Sequence, residues 1–243
     1  MSRLKTPLWL GTVLFAGLPV LSACSSETQT SAAEQQILVD QATVTVQSFF
    51  VSNSTNSRTH TLLKKAKAVM ICPSITHMSV VFGGSGGKCV LLSRDARNSW
   101  SDPAFYSLSS GSFGLQLGYQ NSQIIFFIMT LKGLQALLDH QFKFDASAGV
   151  SFTSFSSNAQ SGGTSAIKND IYAAQKANGI FAGLALGGTK LSVDSAANRA
   201  YYSQIVGPED IVINMRVNNT SADPLRRVLM SSSSATSSET DEK

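Results

Sequence analysis

Trp100-Ser-Asp-Pro-Ala-Phe-Tyr-Ser-Leu-Ser-Ser-Gly-Ser-Phe-Gly-Leu-Gln-Leu-Gly-Tyr-Gln120 is the stretch on which the fold turns. Within it Phe113, Leu115, Leu117 and Tyr119 alternate with Gly114, Gln116 and Gly118, the period at which side chains leave the two faces of a strand. One face of that strand is apolar. The other is stripped of bulk, where a second backbone or a lipid chain can approach. Trp100, Phe105 and Tyr106, around Pro103, read as core beneath a loop in preference to an exposed anchor at a lipid interface.

Upstream, Val69 to Cys72, Met78 to Phe82 and Lys88 to Ser93 are apolar or β-branched runs that predict antiparallel strands, with Gly83-Gly-Ser-Gly-Gly87 as a glycine-rich hairpin turn. Before them, Glu34 to Val51 predicts a helix carrying Ile37, Leu38, Val44, Phe49 and Phe50. A short amphipathic helix follows over Leu62 to Ala68, with Thr61 as its cap. Downstream, the wholly apolar Gln123 to Met129 suits a central strand covered on both faces, and Thr130 caps a helix over Leu131 to His140. Phe142 to Phe152 alternates as a long strand, Ser154 to Thr164 is a loop, Asp170 to Ala177 reads as helix and Gly179 to Gly188 as a small-residue strand. Ser195 to Tyr202 predicts a helix and Ile211 to Val217 a last strand. The fold class is α+β: an antiparallel curved sheet or incomplete β-barrel with short covering helices.

Four blocks in order carry a family resemblance: Gly83-Gly-Ser-Gly-Gly-Lys-Cys-Val-Leu-Leu-Ser-Arg94, the stretch from Trp100 to Gln120, Asp170-Ile-Tyr172 running into Gly179-Ile-Phe-Ala-Gly183, and Ala197-Asn-Arg-Ala-Tyr-Tyr202. Together they resemble the SYLF family, over roughly residues 62 to 203. The resemblance implies a phospholipid-binding module without enzymatic activity. In eukaryotic members the region aligned with Leu62 to Val69 is implicated in phosphoinositide binding, which carries over to Lys64, Lys65 and Lys67. The chain departs from the family in Phe142 to Phe152, which lacks the usual Ala-Gly-Pro-like turn. It departs again at Cys72 and Cys89, which stand where members commonly have a large apolar residue and a glycine.

The amino terminus suggests an address. Arg3 and Lys5 precede an apolar run from Leu8 to Leu21, too short for an ordinary membrane span, and Leu21-Ser-Ala-Cys24 resembles the lipobox of bacterial lipoproteins. Residues 1–23 are expected to be a signal peptide and Cys24 the acylated first residue, with 24–33 as a tether, 34–220 as the folded domain and 221–243 as a disordered serine-rich tail. Ser25 after the cysteine implies an outer-membrane location facing the periplasm in a two-membrane cell. Loss of Arg3 and Lys5 takes the formal net charge from +4 down by two, a near balance that argues against broad nucleic-acid binding. The partners expected are a phospholipid membrane and, as an alternative, another envelope protein.

Lys64, Lys65 and Lys67 beside Leu62 and Leu63 are the chief binding candidates, because leucines can enter the headgroup boundary while lysines meet anionic phosphates. In an oxidising compartment Cys72 and Cys89 either bridge or pack as two buried thiols. Gly83 to Gly87 formally satisfies the Gly-x-Ser-x-Gly hydrolase elbow at Ser85, with Asp102 and His140 following, but Lys88 to Leu92 continues as strand where an elbow needs a helix. No catalytic residue and no cofactor is assigned. His60, His77 and His140 read as surface or loop residues without metal-ligand spacing.

Overall fold

The computed structural model describes residues 31–51, 58–79, 82–113, 118–144, 151–156, 169–178 and 189–234. Its strands are β1 (Ala68–Ser79), β2 (Phe82–Ser93), β3 (Ala104–Phe113), β4 (Gly118–Ile128), β5 (Gln141–Lys143), β6 (Phe152–Ser156), β7 (Ile171–Asn178) and β8 (Lys190–Val193). They form one eight-stranded sheet in the order β5-β8-β3-β2-β1-β4-β7-β6. Pairing is antiparallel throughout except between β6 and β7.

The sheet curls. Phe126 of β4 stacks on Phe144, just beyond β5, with ring centroids 5.2 Å apart. Four strands separate β4 from β5, so on a flat sheet, at about 4.8 Å per strand, these rings would lie roughly 24 Å apart. The result is a half-barrel, in agreement with the curved α+β sheet expected from sequence.

Both faces are covered, and this explains why Ile124-Ile-Phe-Phe-Ile128 has no polar alternate. Ile125 and Phe127 point to one core and Ile124, Phe126 and Ile128 to another. The outer core is roofed by α1 (Ala32–Val51), α2 (Arg58–Lys65), α4 (Ser195–Tyr202) and α6 (Asp223–Ser234). The inner one is closed by α3 (Leu131–Leu138) and α5 (Pro208–Val212). Ala68 faces Ser93 on one side and Ile128 on the other, and Leu91 faces Ala104, so β1 to β4 share one end, here the proximal end. Toward the distal end Gly84, Ser85 and Gly86, then Ser109, Ser110 and Gly111, replace the apolar residues.

Local chemistry explains the helices. Ser31 and Glu34 form a capping box: Glu34 N–H donates to Ser31 Oγ at 3.1 Å and Ser31 N–H to Glu34 Oε2 at 3.2 Å. Val39, Ala42, Val46 and Phe49 then form the buried stripe of α1, whereas Ile37 and Val44 are exposed. Thr130 caps α3 as expected, its side chain accepting from Gly133 N–H.

Several expectations are corrected. Asp170 to Ala177 is not helical but forms most of β7, its small Ala173 and Ala174 filling opposite cores. Ile211 to Val217 is not a strand: Pro208 at the first turn starts α5, and Met215 adopts φ 48°, which no strand continues. Gly83 to Gly87 is not a turn but the distal half of β2, paired with β3. Gly87 is required for a different reason: a Cβ there would lie 2.3 Å from the Ser74 carbonyl, opposite the irregularity in β1. The Phe113 to Tyr119 alternation does not run through one strand, since β3 ends at Phe113 and β4 starts at Gly118 on the far side of the β1 and β2 pair. Of the long strand expected over Phe142 to Phe152, Phe142 and Lys143 belong to β5 and Phe152 to β6, and residues 145–150 lie outside the described residues. Ser154 to Ser156, read as loop, belong to β6, and the second helix begins at Arg58, placing Thr61 inside it. The tail assigned from residue 221 contains α6, whose Leu225 and Leu229 are fully buried against α1 and α2. The expected signal, Cys24, the strand over Gly179 to Gly188 and the last residues of the serine-rich tail lie outside the described residues.

Candidate functional site

The residues singled out on α2 separate by face. Leu62 and Leu63 are 2% and 0% exposed and belong to the outer core. As membrane-inserting groups they are corrected, because withdrawing them would open that core. Lys64, Lys65 and Lys67 are all exposed. Ala66 N–H reaches the Leu62 carbonyl at 2.8 Å and Lys67 N–H reaches the Ile128 carbonyl at 2.8 Å, so the helix feeds directly into the proximal end of β1.

Arg94, at the end of β2, holds the lysine-bearing helix in place. Its Nη1 and Nη2 donate to the carbonyls of Lys64 at 3.0 Å and Leu63 at 3.2 Å, and its guanidinium lies over the Trp100 ring, 4.4 Å from the centroid. A cation is the favourable neighbour for the orphan carbonyls of a helix C-terminus. Burial lowers the Arg94 pKa, yet an arginine remains charged at neutral pH. Sequence reading missed Arg94. The signal was available in an arginine a few residues before a tryptophan predicted to be core.

His60 is corrected from surface to core. It is buried on α2, edge-on to Phe50 with ring centroids 4.9 Å apart, and burial followed by the Lys64 charge pushes its pKa down. His140 is exposed and His77 is half-buried, in separate elements. Among the described residues no group of three or more His, Cys, Asp or Glu side chains comes together to hold a metal ion.

The structure joins Cys72 and Cys89 in a disulfide with a Cα separation of 4.2 Å, both residues fully buried. They lie on adjacent antiparallel strands, not on strands with another between them, because β1 and β2 form one long pair.

No hydrolase triad assembles from Ser85, Asp102 and His140. Ser85 shares a hydrogen bond with Ser110 across the distal part of β2 and β3, whereas Asp102 precedes β3 at the proximal end. Six residues of strand, about 20 Å, separate the two levels. Asp102 instead anchors α6. Its carboxylate, only 3% exposed, accepts from Asn219 N–H at 3.1 Å and from Arg226 at 3.3 Å. Burial raises its pKa more than Asn219 and Arg226 lower it. Tyr202 donates to the Pro103 carbonyl beside it at 2.7 Å, and its own pKa is pushed up by burial first and then by Asp102.

A cleft of about 500 Å³ lies between α1 and the distal part of β1 and β2, lined among others by Glu34, Ile37, Gln41, Thr76, Gly86 and Lys88. Its lysine is already engaged, with Asp194 as ion-pair partner and Ser107 Oγ at 3.0 Å. Burial raises the Asp194 carboxyl, but the Lys88 hydrogen bond and the Ala197 N–H outweigh it and hold it below its ordinary value. Asp194 is thereby committed as the N-cap of α4.

A curled half-barrel sheet roofed by helices, with exposed lysines on a helix end that Arg94 fastens to the sheet, defines a domain of α+β class. Residues 109–232 match the Ysc84 family, described as "Las17-binding protein actin regulator". This is a little over half of the 243-residue chain, and the chain belongs to that family, whose domain is SYLF. Relatives include Protein YSC84 of Saccharomyces cerevisiae, 25% identical over 177 residues, covering 70% of this chain and 37% of the relative. LAS seventeen-binding protein 3 of the same yeast is 25% identical over 177 residues, covering 70% and 38%. SH3 domain-containing protein PJ696.02 of Schizosaccharomyces pombe is 22% identical over 173 residues, covering 70% and 40%. The chain thus spans about two-fifths of the length of the curated relatives it matches. Membership supports a general lipid-binding role.

Proposed function

We propose that this protein is an exported lipoprotein, acylated at Cys24, whose SYLF domain binds anionic phospholipids at the cell envelope, on the outer membrane facing the periplasm. One observation carries the reading: three lysines, Lys64, Lys65 and Lys67, are held exposed on a helix end that Arg94 fastens to the sheet. Each lysine near an anionic surface contributes about 1 kcal/mol, and a prepaid geometry loses little of that to ordering. An acyl chain and a cationic surface together give the two signals that stable membrane attachment takes.

The test is co-sedimentation of the full chain carrying Cys24→Ser with mixed phosphatidylglycerol and phosphatidylcholine vesicles at low ionic strength. Binding that depends on phosphatidylglycerol supports the reading, and indifference to every vesicle overturns it. Recovery of an acylated Cys24 by mass spectrometry tests the anchor separately. A second reading, a domain that binds another envelope protein, is favoured by the protein-binding names of the family and of one yeast relative. Cross-linking in intact cells to one reproducible partner, with no vesicle binding, would establish it in place of the first.

A further inference from the structure

Among the described residues, the large apolar side chains left exposed are Ile37 and Val44 on α1, Met230 on α6, and Leu131, Ile205 and Ile213. The last three come from separate segments, yet each emerges at the proximal end of the sheet. Leu131, 66% exposed, opens α3 immediately beyond β4. Ile205, 87% exposed, follows Tyr202, whose hydroxyl is tied to Pro103 just before β3. Ile213, 45% exposed, follows Val212, whose carbonyl accepts a hydrogen bond from Ser93 at the end of β2. Ser93 and Ile128 are the two partners of Ala68, so they stand about 10 Å apart across β1. Lys67 lies between them, its N–H on the Ile128 carbonyl and its carbonyl receiving Arg94 N–H, both at 2.8 Å. The strand order β3, β2, β1, β4 therefore sets Ile205, Ile213, Lys67 and Leu131 in a row along one rim.

The charges of that rim favour an anionic partner. Lys64, Lys65, Lys67 and Lys132 are exposed on it. Against these stand Asp95, which accepts from the N–H groups of Arg97 and Ser99 and pairs with Arg97 at 3.8 Å, Asp170, which accepts from Thr130 and Ser151, and exposed Asp139 at the end of α3. Asp210 is paired with Arg216 at 2.9 Å, leaving exposed Glu209 as the acid nearest Ile213 in sequence. Single exposed aliphatics are ordinary on a protein surface. Separate aliphatic tips with cations between them suit a lipid interface, which accepts each tip on its own where a protein partner would need a matching pocket for every one.

We propose that this strand-end rim is the membrane-contacting face: Leu131, Ile205 and Ile213 enter the headgroup boundary of an anionic phospholipid bilayer while Lys64, Lys65 and Lys67 meet its phosphates. The proposal rests on the lipid-binding reading and supplies the apolar contacts that the buried Leu62 and Leu63 cannot make.

The experiment uses the full chain with Cys24→Ser and mixed phosphatidylglycerol and phosphatidylcholine vesicles. Leu131→Asp, Ile205→Asp and Ile213→Asp are compared with Ile37→Asp and Val44→Asp. Each rim variant is expected to lose about tenfold or more in affinity while the α1 variants bind as the parent does. In parallel, Leu131→Cys, whose thiol is free while Cys72 and Cys89 are bonded to each other, carries an environment-sensitive dye. Its emission shifts to the blue on vesicles, and the same dye at Val44→Cys does not respond. If the parent binds and the rim variants bind equally well, or if the dye responds only at position 44, the rim assignment is overturned and lipid binding stands. If the parent ignores the vesicles, the underlying reading fails instead.

Discussion

Replacing Leu63 by alanine separates what a leucine beside lysines suggests from what the packing imposes. Leu63 is fully buried in the outer core, on the inward side of α2, one of the helices that roof it. Truncating such a side chain costs about 2–5 kcal/mol through lost burial and the cavity left behind. In a domain of this size, where 1 kcal/mol moves the midpoint by about 2–4 °C, thermal unfolding should fall by roughly 4–20 °C. Circular dichroism melts and urea titrations measure that loss. Vesicle co-sedimentation, run well below the lowered midpoint, should give the affinity of the unsubstituted protein, because the side chain never reaches lipid. A variant that melts with its parent but no longer sediments with vesicles would refute the reasoning, since only a leucine that contacts the bilayer behaves so.

Charge reversal of Lys64, Lys65 and Lys67 to glutamate should act in the opposite sense, lowering affinity for anionic vesicles about a hundredfold or more at low salt, with little change in the melt. Raising the ionic strength should shrink the difference, which a salt series in the sedimentation assay checks. Arg226→Ala leaves Asp102 buried without its cation and should cost about 3–5 kcal/mol at neutral pH. The Asp102 pKa is already raised in the folded protein, so the stability linked to its proton is present at low pH and is lost as pH rises through that raised value. Melts of Arg226→Ala from neutral pH downward should therefore close part of the gap to the parent, and Arg226→Ala combined with Asp102→Asn should no longer show that recovery. The Cys72–Cys89 bond closes a loop of sequence separation 17, for which loop-closure entropy gives about 3 kcal/mol. Cys72→Ala with Cys89→Ala should lose that amount in urea unfolding, and the native protein should resist thiol reductants until it is partly unfolded, as timed alkylation would record.

Some elements were legible because their signal is local. Ile124 to Ile128 carries no polar residue, and a strand with both faces buried needs none. Thr130 stands where the hydroxyl of a cap must stand, and α3 follows it. The α1 segment was legible as a helix but not in its facing: Ile37 and Val44 are as apolar as Val39 and Val46, and only the sheet beneath selects the second pair for burial. Ile171 to Asn178 is rich in alanine, which prefers helix by itself. It becomes strand because β4 presents an open edge on which eight residues pair. Leu225, Val228 and Leu229 have helical spacing, but the run of serines after them hid a helix that α1, α2 and Asp102 hold in place.

The order of hydrophobic and small residues along this chain was enough, by itself, to determine a curved sheet with covering helices and membership in a lipid-binding family, because strand periodicity and family motifs are written in near neighbours. It was also enough to mark Lys64, Lys65 and Lys67 as cations beside leucines. Only the tertiary structure decided which of those side chains meet solvent, because α2 is two turns long and the elements packed over it choose the buried side. Only the tertiary structure, too, set Leu131, Ile205 and Ile213 on one rim with Lys67. They are far apart in sequence and are brought together by strands that end at a common level.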